Sequence, residues 1–274
     1  MTGFHDPVLA REVMEFLAPS GDGIYLDGTV GGGGHARILL EDCRSCRLIA
    51  ADRDPEALEA ARATLASHGT RVSFVNARFD EALHAVDLNE PLAGVLLDLG
   101  VSSHQFDSDP RGFTFRPGVA LDMRMDATQP GTRTAAELLN SEAEEALAWI
   151  FQEYGEEPRS RALARAVVQR RSTRPFRTSD DLVAVLYRTL GRSPKAKEKA
   201  RIFQALRIAI NGELESLERG LEEFREAMAP GARIVVIAYH SLEDLYEVRC
   251  DGYRPIVFIF AGITFLVYHH HSRL

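Results

Sequence analysis

Ile24-Tyr25-Leu26-Asp27-Gly28-Thr29-Val30-Gly31-Gly32-Gly33-Gly34-His35 decides the fold of this chain. A short apolar run breaks into a turn dense in glycine, and helix-forming sequence follows from His35. Glycine admits positive φ and lets a ligand approach the backbone closely. A helix N-terminus adds free N–H groups and the positive end of its dipole. In an open α/β sheet, ligands bind outside the carboxyl ends of the strands, which is where this turn falls. Taken alone, the motif also fits a tight strand–helix turn with no ligand.

Outward from the turn, strand and helix signals alternate. Arg47–Asp52, Val72–Asn76 and Ala93–Leu99 read as further strands, and Ala232–Tyr239 as a fifth. Between them, Asp54 can cap a helix, Pro55 suits its first turn and Gly69 its end. The strands are almost continuously apolar, as expected when both faces of a parallel sheet are covered. From Ser108 to about Lys199 the pattern changes to helices and turns, with helices predicted at Thr134–Leu139, Ser141–Tyr154, Ser160–Arg171 and Ser179–Leu190. A long helix bent near Gly212 is predicted from Ala200 to Met228, stopped by Pro230–Gly231. The predicted organisation is a discontinuous sheet domain, residues 1–107 and 200–274, carrying a helical insertion, residues 108–199.

The chain has 274 residues, 45% hydrophobic and 26% charged, which excludes a disordered chain, a collagen-like fibre and a disulfide-stapled miniprotein. Three cysteines cannot build a disulfide framework, so Cys43 and Cys46, despite their CxxC spacing, read as reduced thiols, with no metal site expected. The N-terminus lacks the basic and apolar regions of a secretory signal. The longest apolar run, Pro255 to Tyr268, falls short of the roughly 20 residues a membrane helix takes. These features predict a cytoplasmic protein.

The strand ends carry the candidate chemistry. Asp52 closes the second strand, where a carboxylate can accept hydrogen bonds from both hydroxyls of a ribose; a helix-capping role shared with Asp54 is the plainer alternative. NAD and S-adenosylmethionine both fit at this point. The fourth strand ends in Asp98, followed by Ser102, Ser103 and Gln105. Asp98 can accept a hydrogen bond from a cofactor or substrate amino group, Gln105 can bond the cofactor, and the serines can hold a substrate. A serine hydrolase is unsupported, since no G-x-S-x-G elbow is present. After the fifth strand, His240 is equally a proton acceptor or a helix cap.

Together these segments resemble the bacterial small-subunit ribosomal RNA cytosine-N4 methyltransferases, the RsmH (MraW) family. The likeness runs from His5 to Asp244 through HDPVL, DGTVGGGGH, DRDP, DLGVSS, RGFTFR, LDMRMD, YGEEP, FQALRIAINGELESL and AYHSLED. It implies an α/β fold, a class I (Rossmann-like) methyltransferase sheet with an inserted all-helical domain that recognises RNA. It implies S-adenosyl-L-methionine as cofactor and N4 of a cytidine in the decoding region of 16S rRNA, near the P site, as methyl acceptor. Carried over by position, Gly33, Gly34 and His35 line the methionine part of the cofactor, Asp52 holds the ribose and Phe79 packs on the adenine. Asp98 and Gln105 complete the pocket. Asp98, Ser102, Ser103 and His240 are the expected catalytic residues. Phe79 has a plainer reading as a core residue under the third strand. The partner implied is 16S rRNA in the small ribosomal subunit, with no DNA and no stable membrane association; a homodimer is compatible.

A net charge of −8 suits RNA binding only if the positive charge is concentrated. Pro158 to Arg177 carries seven arginines and no acidic residue, and Arg192 to Arg201 adds further basic side chains. Arg170 and Arg171 are the candidate phosphate contacts, against the alternative of a solvated helix face. In RGFTFR, Phe113 and Phe115 beside Arg111 and Arg116 suit stacking on an unstacked base; an anchor that closes the insertion onto the sheet is the equal alternative. Two departures from the family stand out. His104 occupies a position where members commonly have proline, and after Asp244 the ending is unlike theirs. In that ending, Ile256–Phe260 and Ile263–Tyr268 can supply a closing hairpin; a truncated or frameshifted end and a short peripheral membrane contact are the alternatives.

Overall fold

The computed structural model describes residues 7–100, 111–126, 131–238, 256–260 and 265–267. Two compact units emerge: residues 1–100 with 214–274, and residues 101–213.

The first unit is built on seven strands: β1 (Ile24–Asp27), β2 (Arg47–Asp52), β3 (Val72–Asn76), β4 (Leu92–Asp98), β5 (Met228–Ala238), β6 (Ile256–Phe260) and β7 (Phe265–Val267). Their order is β3-β2-β1-β4-β5-β6-β7. Strands β1 to β6 run parallel and β7 is antiparallel to β6. The first six positions follow the dinucleotide-binding order, which reverses direction between β1 and β4. Thus β6 and β7 supply the two closing strands expected of the ending.

Period-two alternation assigns the strand residues to two cores. Leu48, Ala50, Leu96, Val235 and Ile237 join one cluster with α1 (Ala10–Leu17), α2 (Gly34–Asp42) and α3 (Pro55–Leu65). Ile49, Ala51, Val95, Leu97, Ile234 and Val236 join the other, closed by Leu217, Leu221 and Phe224 of α9 (Glu213–Ala227). β2, β4 and β5 are therefore apolar on both faces, and this part of the sheet is the middle of three layers. Asp54 caps α3 by accepting from the Glu56 N–H at 3.0 Å, with Pro55 in the first turn. That helix stops at Leu65, and a 3₁₀ turn, Ala66–Arg71, carries Gly69 at φ +57°. Cys43 and Cys46 form a disulfide with Cα atoms 5.4 Å apart, in place of the expected thiols.

The second unit contains α4 (Ala135–Ser141), α5 (Glu144–Glu153), α6 (Ser160–Arg171), α7 (Ser179–Leu190) and α8 (Ala196–Asn211). The predicted long helix is two helices, α8 and α9, because Gly212 turns left-handed at φ +58° between them. Ile202, Phe203 and Leu206 of α8 are buried, and α8 packs on α4 and α5. The helical unit therefore takes in α8 and runs 101–213, not 108–199. Pro230 and Gly231 lie inside β5, where the register shifts between Leu92↔Met228 and Gly94↔Arg233. No described helix is long and apolar enough to cross a membrane.

Asn211 ties α8 to the 111–126 segment. Its Nδ2 donates to the Met123 carbonyl at 2.9 Å, and its Oδ1 accepts from the Met125 N–H at 2.9 Å, with the side chain buried. Asn211→Ala removes both bonds from a buried position and is expected to destabilise the protein by about 2–4 kcal/mol. Chemical denaturation checks this; a variant as stable as the parent would show the tie to be idle.

Candidate active site

The glycine-rich turn after β1 is bonded to the strands on either side. Gly28 N–H donates to the Leu96 carbonyl of β4 at 3.0 Å, and Val30 N–H to the Ala51 carbonyl of β2 at 2.9 Å. The Thr29 hydroxyl accepts from the Asp98 N–H at 2.6 Å. Gly31 and Gly33 adopt positive φ, +51° and +82°, the latter at the N-cap of α2. A Cβ on Gly34 would lie 3.2–3.3 Å from the Pro7 ring, so Pro7 would have to give way.

Three carboxylates meet at this point: Asp27, Asp52 and Asp98 end β1, β2 and β4. Asp52 Oδ2 accepts from the Gly31 N–H and Oδ1 from the Asp54 N–H, both at 2.9 Å. Burial pushes the Asp52 carboxyl up to about 6, against the pull of those backbone donors. A carboxylate oxygen has about two acceptor sites, so each oxygen keeps capacity for a hydroxyl. Asp27 is almost wholly buried and accepts from the Thr29 N–H at 3.2 Å. Burial, reinforced by the charges of Asp98 and Asp52, raises its carboxyl to about 8.

His35 is buried in the first turn of α2. Its Nε2 lies 2.8 Å from the Val8 carbonyl and must donate there, because a carbonyl only accepts. Its Nδ1 is 4.0 Å from Asp98 Oδ2. Phe79 opens a 3₁₀ turn, Phe79–Ala85, after β3, and its ring is half-buried. It packs against the α9 side of the core, so the plainer reading of Phe79 holds for part of its surface.

The structure thus brings Gly33, Gly34, His35, Asp52, Phe79 and Asp98 to the carboxyl end of one sheet. Ser102, Ser103, Gln105 and His240 lie outside the described residues. The sequence reading passed over Asp27 as the end of a strand. The signal was present: three apolar strands, IYLD, IAAD and LLD, each end in aspartate.

The predicted RNA contacts divide differently. Arg170 pairs with Asp181, bonds the Arg174 carbonyl at 2.5 Å and lies 4.8 Å over the Phe176 ring. Arg171 Nη1 donates to the carbonyls of Leu139 at 3.0 Å and Glu142 at 2.6 Å. Both guanidiniums make contacts within the helical unit. Phe113, 7% exposed, offers no open face to a base. Phe115 stands edge-on to Phe203 at 5.9 Å, with Lys199 Nζ 4.5 Å over its ring. Arg111 Nη1 donates to the Met125 carbonyl at 3.4 Å. These contacts all lie within the helical unit.

A parallel sheet in this order, with a glycine-rich turn and acidic strand ends at its switch point and an all-helical insertion, is the class I methyltransferase fold. The chain belongs to the MraW methylase family, which it matches over residues 2–248. It is 46% identical over 250 residues to ribosomal RNA small subunit methyltransferase H of Geobacter sulfurreducens, covering 89% of this chain and 80% of that protein. The protein of the same name from Heliobacterium modesticaldum is 43% identical over 251 residues, again 89% and 80%. Among solved structures, an rRNA methylase from Streptococcus thermophilus overlaps 33% of this chain and 52% of its own, with 22% identity and a TM-score of 0.28.

Asp27 gives a test of the carboxylate cluster. Its pKa is raised on folding from 3.8 to about 8, so the folded state favours the protonated form. The resulting stability is fully present below the unfolded pKa and is lost as pH rises through the folded one. Asp27→Asn removes this loss, so the variant should gain stability relative to the parent between about pH 4 and pH 8. Denaturation over that range measures it; a difference that does not change with pH contradicts a neutral Asp27.

Proposed function

We propose that the protein methylates N4 of a cytidine in the decoding region of 16S rRNA, near the P site, using S-adenosylmethionine. The observation that carries this reading is the geometry of Asp52 beside the glycine-rich turn, in a chain whose relatives are named as small-subunit ribosomal RNA methyltransferases. The residues fit the cofactor. Asp52 keeps acceptor capacity on both oxygens for the ribose hydroxyls, and Gly33 and Gly34 set backbone at the N-terminus of α2 for the methionine part. Phe79 supplies an apolar face for the adenine. Asp98 borders the same crevice, and Gln105 is assigned to the pocket on the family resemblance alone. Bound there, S-adenosylmethionine supplies a methyl group on a positively charged sulfur.

The acceptor is a weak nucleophile, because the lone pair of the exocyclic amine is delocalised into the cytosine ring. The chain must therefore hold the base edge, align the nitrogen and accept a proton. Asp98, with 28% of its side chain exposed at the end of β4, and the Ser102–Ser103 loop orient the base. His240 assists as proton acceptor. Orientation of this kind contributes several kcal/mol, and fixed acceptors for developing positive charge add an electrostatic share. The helical unit contacts RNA through arginines such as Arg161, Arg177 and Arg188. These are exposed, and among the described residues their side chains make no hydrogen bond or ion pair. The RNA substrate is the small ribosomal subunit, and the protein works in the cytoplasm.

The direct test incubates the protein with labelled S-adenosylmethionine and small subunits lacking the modification, then analyses the RNA nucleosides by mass spectrometry. N4-methylcytidine is expected. A second reading, a cofactor-binding member without turnover, is favoured by one observation: the family match stops at residue 248. Cofactor binding with no methylated product selects that reading. In the same assay, Asp98→Ala should lose about a hundredfold in turnover at saturating cofactor; full turnover removes the role given to Asp98.

Asp52 predicts a pH dependence. Ionised, it can accept from two hydroxyls; protonated, it loses its charge and one oxygen turns donor. With its pKa at about 6, cofactor affinity should fall by about tenfold per pH unit below that value. Asp52→Asn should bind weakly with a flatter profile. Calorimetry between about pH 5 and pH 8 decides, and a parent profile as flat as the variant's contradicts the assignment.

A further inference from the structure

Phe79 sits between two glycines and beside a buried ion cluster. A Cβ on Gly28, in the turn after β1, would lie 2.8 Å from Phe79 Cβ. A Cβ on Gly220, on α9, would lie 2.9 Å from Phe79 Cε2 and 3.0 Å from Cδ2. Real Cβ atoms do not approach so closely, so the ring occupies a slot that exists because both side chains are missing.

The next residue fixes the turn. The Asp80 side chain is 1% exposed and faces two guanidiniums. Arg78 grips it with Nε to Oδ1 at 2.6 Å and Nη2 to Oδ2 at 2.8 Å. Arg219 reaches across from α9, with Nε at 3.1 Å and Nη2 at 2.8 Å from Oδ2. Arg78 also bonds Glu81 at 3.3 Å, and Arg219 bonds Ser216 Oγ at 3.5 Å. A buried carboxylate held by two forks is a fixed point. Adjacent residues of α9, Arg219 and Gly220, therefore act on adjacent residues of the turn, Asp80 and Phe79.

We propose that Gly220, with the Arg78–Asp80–Arg219 cluster, positions the Phe79 ring as the adenine wall of the cofactor pocket. These are positioning residues: they act through Phe79 and do not touch the reacting atoms. The inference rests on the reading of Phe79 as an adenine contact. Its consequence is specific to the adenosine end of the cofactor. Moving the ring changes cofactor affinity and leaves turnover at saturation to the residues around Asp98.

Gly220→Ala tests it. Alanine favours a helix more than glycine does, so the substitution supports α9 while its methyl group pushes the ring aside. The dissociation constant for S-adenosylhomocysteine and the KM for S-adenosylmethionine should each rise about tenfold, with kcat and the KM for the ribosomal subunit unchanged. Phe79→Ala should weaken S-adenosylhomocysteine to a similar degree, and the double variant should be little worse than either alone, since both act on one ring. Phe79→Leu in the Gly220→Ala background, with a smaller side chain in the slot, should recover part of the loss. Arg219→Gln, which removes one fork from the half-exposed edge, should give a smaller loss of about threefold and keeps the test open if Gly220→Ala fails to fold. If Phe79→Ala weakens binding while neither Gly220→Ala nor Arg219→Gln does, the positioning proposal falls and the adenine reading stands. If Phe79→Ala leaves binding unchanged, the adenine reading falls and the proposal with it.

Discussion

The site depends on how the turn after β1 is fastened. Gly28 bonds β4, Val30 bonds β2, and the Thr29 hydroxyl holds the backbone of Asp98. Because the chain runs outward through β2 and β3 before returning as β4, β1 has two parallel neighbours with separate connections. A crevice opens where those connections part. The turn spans that crevice, and its bonds fix the relative heights of Asp27, Asp52 and Asp98. Backbone carbonyls and one hydroxyl do this work, so the glycines remain free of side chains where a ligand must approach.

Holding three carboxylates together is unfavourable, and the structure divides the cost unequally. Asp52 takes two backbone donors and is part-buried. Asp98 keeps partial exposure. Asp27 is enclosed and is held neutral around pH 7, because desolvation there outweighs its single backbone donor. A neutral Asp27 spares its neighbours a third negative charge.

Much of this was legible because sheet and site follow short-range rules. Apolar runs ending in aspartate gave the strands, and the glycine cluster marked the switch point. Asp54, Pro55 and the four helices of the insertion were read from local capping and periodicity. What escaped depends on contacts distant in sequence. The apolar periodicity runs through Gly212, so the left-handed break between α8 and α9 looked like a bend, and α8 was divided between the two domains. A run of arginines does not reveal which have partners. Arg171 caps carbonyls at the end of α4, where a helix leaves them unsatisfied, and Arg170 meets an aspartate of α7. The slot around Phe79 needs Gly220 from a distant helix, and nothing local in FDEALHA announces it.

The central claim is that the crevice between β1 and β4 holds the cofactor through the strand-end carboxylates. A crystal structure with S-adenosylhomocysteine tests this most directly. The account predicts both ribose hydroxyls within hydrogen-bond distance of Asp52, the amino-acid part along Gly33–His35 and the adenine against Phe79. A ligand bound elsewhere, or one in this crevice whose ribose does not meet Asp52, would contradict it.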